Sequence, residues 1–372
     1  MTRAETYTNS DGVYKRYKKP DLNASGVPIV PTPTNPLASR ANLVYGTYRP
    51  DADTTGHIVT PDWKVLGDTS TNTFTPVAGQ LYENMTIYGD IKLPTAGPVL
   101  FRNCELVGGS STPTSDTGIV TAQGAIRGGY ADFYDCTIRA WNPKNGRNGF
   151  IGRQYRAYRC NVSNVTDPFG VYSTLGPNTD ADVEIRGCWG HDALYSYPDP
   201  ASSNHSDGAH TDIIQCQGGS NVWIQGNFLE GTGVPQPGTG ANPLKPWIMS
   251  ETYGTNWANG VCCIIQNGTG AGINGSTFVV EDNWTKGGIS HYALHSNITT
   301  VTVRNGKVYR DVAIRPAGAT GENSTGYWMR GSINLPKANV TGLYTHKWID
   351  GPYAGQLLND SSRDRGIIFD FT

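Results

Sequence analysis

The sequence is poor in charge and contains no long apolar run. Asp, Glu, Lys and Arg make up only 16% of its 372 residues, and the formal net charge is −2. That balance supplies no field to gather nucleic acid or an anionic membrane surface, so neither is expected as a partner. Nothing approaches the roughly 18 consecutive apolar residues of a membrane-spanning helix, which argues against membrane insertion. The opening MTRAETYTNSDGVYKRYKKP lacks the apolar core of a secretory signal, and synthesis in a reducing cytosol is the expectation. An amphipathic helical window is missing too, which leaves helix a minor component. The seven cysteines are odd in number and include no CxxC pair, so they fit neither a zinc site nor a complete disulfide framework.

What the sequence has in quantity is punctuation: 46 glycines and 23 prolines. Many short strands joined by turns are the natural consequence. Eight octets repeat one pattern: YENMTIYG at 82–89, FRNCELVG at 101–108, FYDCTIRA at 133–140, AYRCNVSN at 157–164, IRGCWGHD at 185–192, IQGNFLEG at 224–231, VEDNWTKG at 280–287 and VRNGKVYR at 303–310. Their first column is Tyr82, Phe101, Phe133, Ala157, Ile185, Ile224, Val280 and Val303. Their fourth is Met85, then Cys104, Cys136, Cys160 and Cys188, then Asn227, Asn283 and Gly306. Further strand-like runs lie between the octets, such as GFIGRQ at 149–154, GVYSTL at 170–175, TDIIQC at 211–216 and VCCIIQN at 261–267.

A unit this short cannot bury its own apolar face, and stacking the units along an axis solves that problem. The expected fold is all-β, a right-handed parallel β-helix, with inward side chains in columns about 4.8 Å apart. The cysteines then form an interior ladder of small apolar groups, and Asn227 and Asn283 continue it as a turn-stabilising amide ladder. Residues 1–50 read as an irregular N-terminal arm, 51–310 as the β-helix, and 311–372 as a C-terminal cap or partner-contact region.

The FRNC, FYDC and IQGN turns, with NHSDG opening a coil, resemble the pectate-lyase-like superfamily of right-handed β-helices. That superfamily includes pectin and alginate lyases, polygalacturonases, and bacteriophage tailspikes and minor tail proteins. The likeness to the phage proteins implies a virion tail component that recognises host-surface polysaccharide. The pattern-free termini and the apolar GIIFDFT at 366–372 point to contact with other tail proteins through the two ends, and to a homo-oligomer such as a trimer. A released polysaccharide lyase or glycoside hydrolase is one alternative, and a purely structural tail component is another.

Function is expected where the repeat is interrupted. The two longest spacings between fourth-column anchors, 39 and 56 residues, are consecutive, with their excess in 188–208 and 230–260. Insertions on a rigid solenoid are loops, and loops carry function. Leaving one face, they would wall a groove lined by Trp189, Tyr195, Tyr197, Trp247, Tyr253 and Trp257, whose flat rings suit sugars. The stretch NHSDGAHTD between them supplies His205, Asp207, His210 and Asp212. Pairing Ile213 with Ile264 of the next coil predicts that His210 and Asp212 face outward. Asp207, Asp212 and Glu230 are the acids that a hydrolase would use, and His205 or His210 the base of a lyase. NHSDG resembles the NTDG element of polygalacturonases, but their DD, GHG and RIK elements are missing, as are the calcium cluster and arginine base of pectate lyases. No cofactor or metal is expected. A divalent cation such as calcium on the His–Asp cluster is the alternative, although its spacing matches no defined site.

Overall fold

The computed structural model describes residues 3–9, 12–18, 36–94, 98–111, 117–122, 131–142, 147–172, 180–195, 211–231, 234–235, 261–266, 278–287, 290–294, 298, 300–309, 327–331, 337–350, 353–358 and 367–369. They form a parallel β-helix. A complete coil has three strands, as in Tyr155–Tyr158, Asn161–Ser163 and Phe169–Tyr172. First and second strands of successive coils build one 17-stranded sheet, and third strands build a 10-stranded sheet. All coil-to-coil pairings in the two sheets are parallel.

The register reproduces the first column. Tyr82 pairs with Phe101, Phe101 with Phe133, Phe133 with Ala157, Ala157 with Ile185, and so on through Ile224 and Val280 to Val303. From Phe101 onward every member is buried. The rings of Phe101 and Phe133 stack 4.8 Å apart, and Phe133 meets Phe150 of the third-strand sheet edge-on at 5.0 Å. One buried side chain of this size stabilises by roughly 1.5–3 kcal/mol, so the axis of the solenoid is a continuous source of cohesion.

The octets also hold a column that the sequence reading passed over. Their third residues, Asn84, Asn103, Asp135, Arg159, Gly187, Gly226, Asp282 and Asn305, all have φ between 51° and 65°. This left-handed bend turns the chain from first to second strand, and it explains the run of Asn, Asp and Gly there. The fourth column then points inward. Cys104, Cys136, Cys160 and Cys188 are buried free thiols. The amide ladder follows: the Cys188 N–H donates to Asn227 Oδ1 at 2.8 Å, and the Asn227 N–H to Asn283 Oδ1 at 2.9 Å. Gly306 has no side chain to offer, and His346 of the next coil fills the space. The Gly306 N–H donates to His346 Nδ1 at 3.1 Å.

Three sequence expectations need correction. The first is the irregular arm: Arg3–Asn9 and Gly12–Lys18 form an antiparallel hairpin. The second is its extent, because residues 36–62 are a strap lashed to the column of left-handed bends. Asp135 takes a two-pronged hydrogen bond from Arg159 (2.9 Å on each oxygen) and lies 3.9 Å from Arg40 of the strap. The Arg159 guanidinium also donates to the Tyr45 hydroxyl at 3.0 Å. A Cβ at Gly187 would collide with the Tyr45 ring and one at Gly226 with the Gly46 backbone, so glycine there admits the strap as well as the bend. Asn103 bonds the backbone of Ile58 in both directions, at 2.7 and 2.9 Å. The third is the end of the repeat. Tyr327–Gly331, Val340–Thr341, Lys347–Trp348 and Ile367–Phe369 add further parallel strands to both sheets, so coils continue past residue 310 into GIIFDFT.

Candidate functional site

Both long insertions leave the solenoid at the same corner, between second and third strands of consecutive coils. Their first residues pair with each other: Leu194 opposes Val234 and Tyr195 opposes Pro235 in a separate two-stranded parallel sheet. The groove-wall expectation requires this shared departure.

Next to it the second strands present two outward columns. The register runs Asn161, Trp189, Phe228, Trp284 and Lys307 along one, and sets Glu230 beside Lys286 in the other. Trp189 and Glu230, both predicted from the sequence, are brought into contact. The Trp189 indole N–H donates to Glu230 Oε2 at 2.8 Å, while Lys286 Nζ approaches Oε1 at 3.3 Å. The half-buried Trp189 ring stacks on His191 at 3.7 Å between centroids. His191 bridges Asn161 Oδ1 (3.0 Å from Nε2) and Asp192 Oδ2 (2.8 Å from Nδ1). That hydrogen bond holds the Asp192 carboxyl below its ordinary range. Asp192 sits at φ 48°, which turns the chain out of the second strand toward the insertion.

Further along this face the strap lies across the aromatics. Arg49 rests 5.0 Å from the Phe228 ring centroid and donates to the Tyr309 hydroxyl, and Lys307 lies 4.0 Å from the Trp284 ring. Phe228 and Trp284 are consequently buried, and the part of the ledge that solvent still reaches is half-buried Asn161, Trp189, His191, Glu230 and Lys286 with exposed Asp192. On the other side Glu105 takes a 2.8 Å bond from Arg139 and a 2.9 Å bond from Thr86. Burial opposes its ionisation, but these partners outweigh it and keep the carboxyl low.

Asp212 is not part of the ledge, which corrects the outward placement. It is buried, and its backbone N–H donates to Asp167 Oδ1 at 2.8 Å, as that of Asp167 does to Asn148 Oδ1 at 3.2 Å. These three residues form a second corner ladder in the third-strand sheet. Ile214 pairs with Cys263 and Gln215 with Ile264, two residues away from the expected pairing of Ile213 with Ile264. The strand begins only at Ile214, so alternation has no hold on Thr211–Asp212–Ile213, all buried in the corner.

His205, Asp207, His210, Tyr197, Trp247, Tyr253 and Trp257 lie outside the described residues, as does the Tyr195 side chain. Among the described residues no group of three or more His, Cys, Asp or Glu is placed to hold a metal ion. The sequence reading missed Asn161, His191, Asp192 and Lys286. The HD pair closing IRGCWGHD, at the mouth of an insertion, was the available signal. What remains is an amphipathic ledge with one stacking face, hydrogen-bond donors and acceptors on both sides, and two neighbouring loops. No family model, no curated protein and no solved structure matches the chain.

Proposed function

We propose that this chain recognises a polysaccharide on a host cell surface, as the β-helix of a phage tail does. The observation that carries the reading is the common exit of the two longest insertions, paired at Leu194 and Val234 beside the Trp189–Glu230 contact. An indole face flanked by amide, carboxylate and imidazole groups matches the alternation of apolar and hydroxylated surface on a sugar ring. The virion setting, contact with other tail proteins and a trimeric assembly rest on the likeness of the FRNC, FYDC and IQGN turns to the superfamily that includes phage tail proteins, and on the proline-rich segment 26–37 ahead of the repeats.

Binding without efficient cleavage is the expected behaviour. Asp212 is buried away from the ledge, and both Glu230 oxygens already have partners. Incubation with purified host-envelope polysaccharide tests the reading. Retention of polymer without new reducing ends or ultraviolet-absorbing unsaturated products agrees with it. Rapid depolymerisation makes the chain an enzyme instead, and failure to retain any envelope polysaccharide removes the glycan reading.

A further inference from the structure

Arginines in this fold are mostly held by carboxylates. Arg102, Arg139, Arg147, Arg159 and Arg304 each have a Glu or Asp oxygen within 3.1 Å. Arg49 of the strap is different. It is exposed, its guanidinium rests 5.0 Å from the Phe228 ring centroid, and it donates to the Tyr309 hydroxyl. Among the described residues no carboxylate pairs with it, and no second acceptor takes its other side-chain N–H groups. The next acid of the strap, Asp51, is turned into its own loop, where it accepts the Asp53 and Thr54 N–H groups at 3.0 Å each. A ring and a hydroxyl thus fix the Arg49 group without supplying a negative charge, and part of its planar fork of donors stays open.

This cation stands beside the stacking face. The Phe228 ring on which it rests is stacked 6.4 Å from the Trp189 ring. Two coils beyond Phe228 in the same column, Lys307 is held by the Gly46 and Asp282 carbonyls, at 2.9 and 3.3 Å, rather than by an ion pair. The carboxylates of the ledge lie toward Trp189: Asp192 is bonded to His191, and Glu230 to the Trp189 indole and Lys286. The ledge is therefore polarised along its length, with acceptors at the Trp189 end and unpaired cations at the Arg49 end.

We propose that Arg49 is an anion-binding subsite: it holds a carboxylate or phosphate carried by one sugar unit while a neighbouring unit stacks on Trp189. A guanidinium presents paired donors that match the paired oxygens of either group. Its position is set before the ligand arrives, by Phe228 and Tyr309, so little ordering is left to be done on binding. The proposal rests on the glycan reading above and adds to it the class of ligand, an acidic glycan.

The experiment is binding of the full chain, at about pH 7.5, to bacterial surface polysaccharides in three sets: uncharged, uronate- or sialate-bearing, and phosphate-bearing. Retention is expected in an anionic set, and the set that is retained identifies the group that Arg49 holds. Retention in the uncharged set alone, or equally in all three, overturns the proposal and leaves the glycan reading standing. Retention in none overturns both. A second arm uses the polymer retained best. There Arg49→Gln should weaken binding about tenfold or more, and should remove most of its dependence on salt between roughly 50 and 500 mM. Arg49→Lys keeps the charge without the fork, and should bind between the two while retaining the salt dependence. A folded Arg49→Gln protein that binds as the parent does overturns the proposal. Weakened binding with unchanged salt dependence gives Arg49 a structural role in the strap, and overturns it as well.

Discussion

Acid should loosen the last coils of the solenoid through two histidines in its core. His346 is fully buried, accepts the Gly306 N–H at Nδ1, and donates from Nε2 to the Val303 carbonyl at 3.2 Å. Its neutral tautomer is therefore fixed by the fold, and a proton on Nδ1 would set two donors against each other. Burial pushes its pKa down to about 4. His291 is also fully buried, with a pKa pushed down to about 3, chiefly by burial. Both lie below the unfolded value near 6.5, so the stabilising neutral form is fully effective above about pH 6.5. Stability is lost as pH falls from there toward the folded values, because the unfolded chain takes up the protons first. At pH 5 the loss is about 2 kcal/mol for each histidine, or roughly 4 kcal/mol together. Most carboxylates are still ionised at that pH, which isolates the effect. Urea unfolding at pH 7 and pH 5 measures it. His346→Asn, which offers an amide oxygen near the place of Nδ1, should reduce the acid loss by about half. Equal wild-type stability at the two pH values, or an undiminished loss in His346→Asn, would refute the reasoning.

The remaining predictions test the frame of the molecule. Ile224→Asp should abolish soluble folding, since an unpaired carboxylate in that column costs several kcal/mol; normally folded protein would contradict the register. Asp135→Ala leaves Arg159 buried without its carboxylate, and should cost roughly 3–5 kcal/mol while exposing the strap to limited proteolysis. An unchanged digestion pattern would mean that the strap is held by other contacts. All seven cysteines are buried, so a thiol reagent should modify none in the native protein and seven after denaturation. Fast native labelling would break the interior-ladder assignment.

The fold was legible because its inward residues recur at the same place in each octet, whatever the spacing between octets. Phe101, Phe133 and Ile185 announce a column although 32 and then 52 residues separate them. The left-handed bends were written in the same octets as Asn, Asp and Gly, but turn formers look alike until dihedral angles distinguish them. The strap was not legible. Its contacts, such as Tyr45 with Arg159, join positions 114 residues apart and leave no period behind them. At the site, Trp189 and Glu230 could be named because they flank the insertions. Asp212 was misplaced because alternation was extended two residues beyond the strand that obeys it. The cluster around His191 depends on a stack and two hydrogen bonds that side-chain geometry alone provides.

The most direct test of the central claim is hydrogen exchange of the full chain with and without its bound envelope polysaccharide. Slowed exchange should concentrate in 189–195 and 228–235, where the ledge meets the paired insertions, with little change along the opposite first strands. Protection confined to those first strands, for example around Arg156, Glu184 and Trp223, would contradict it.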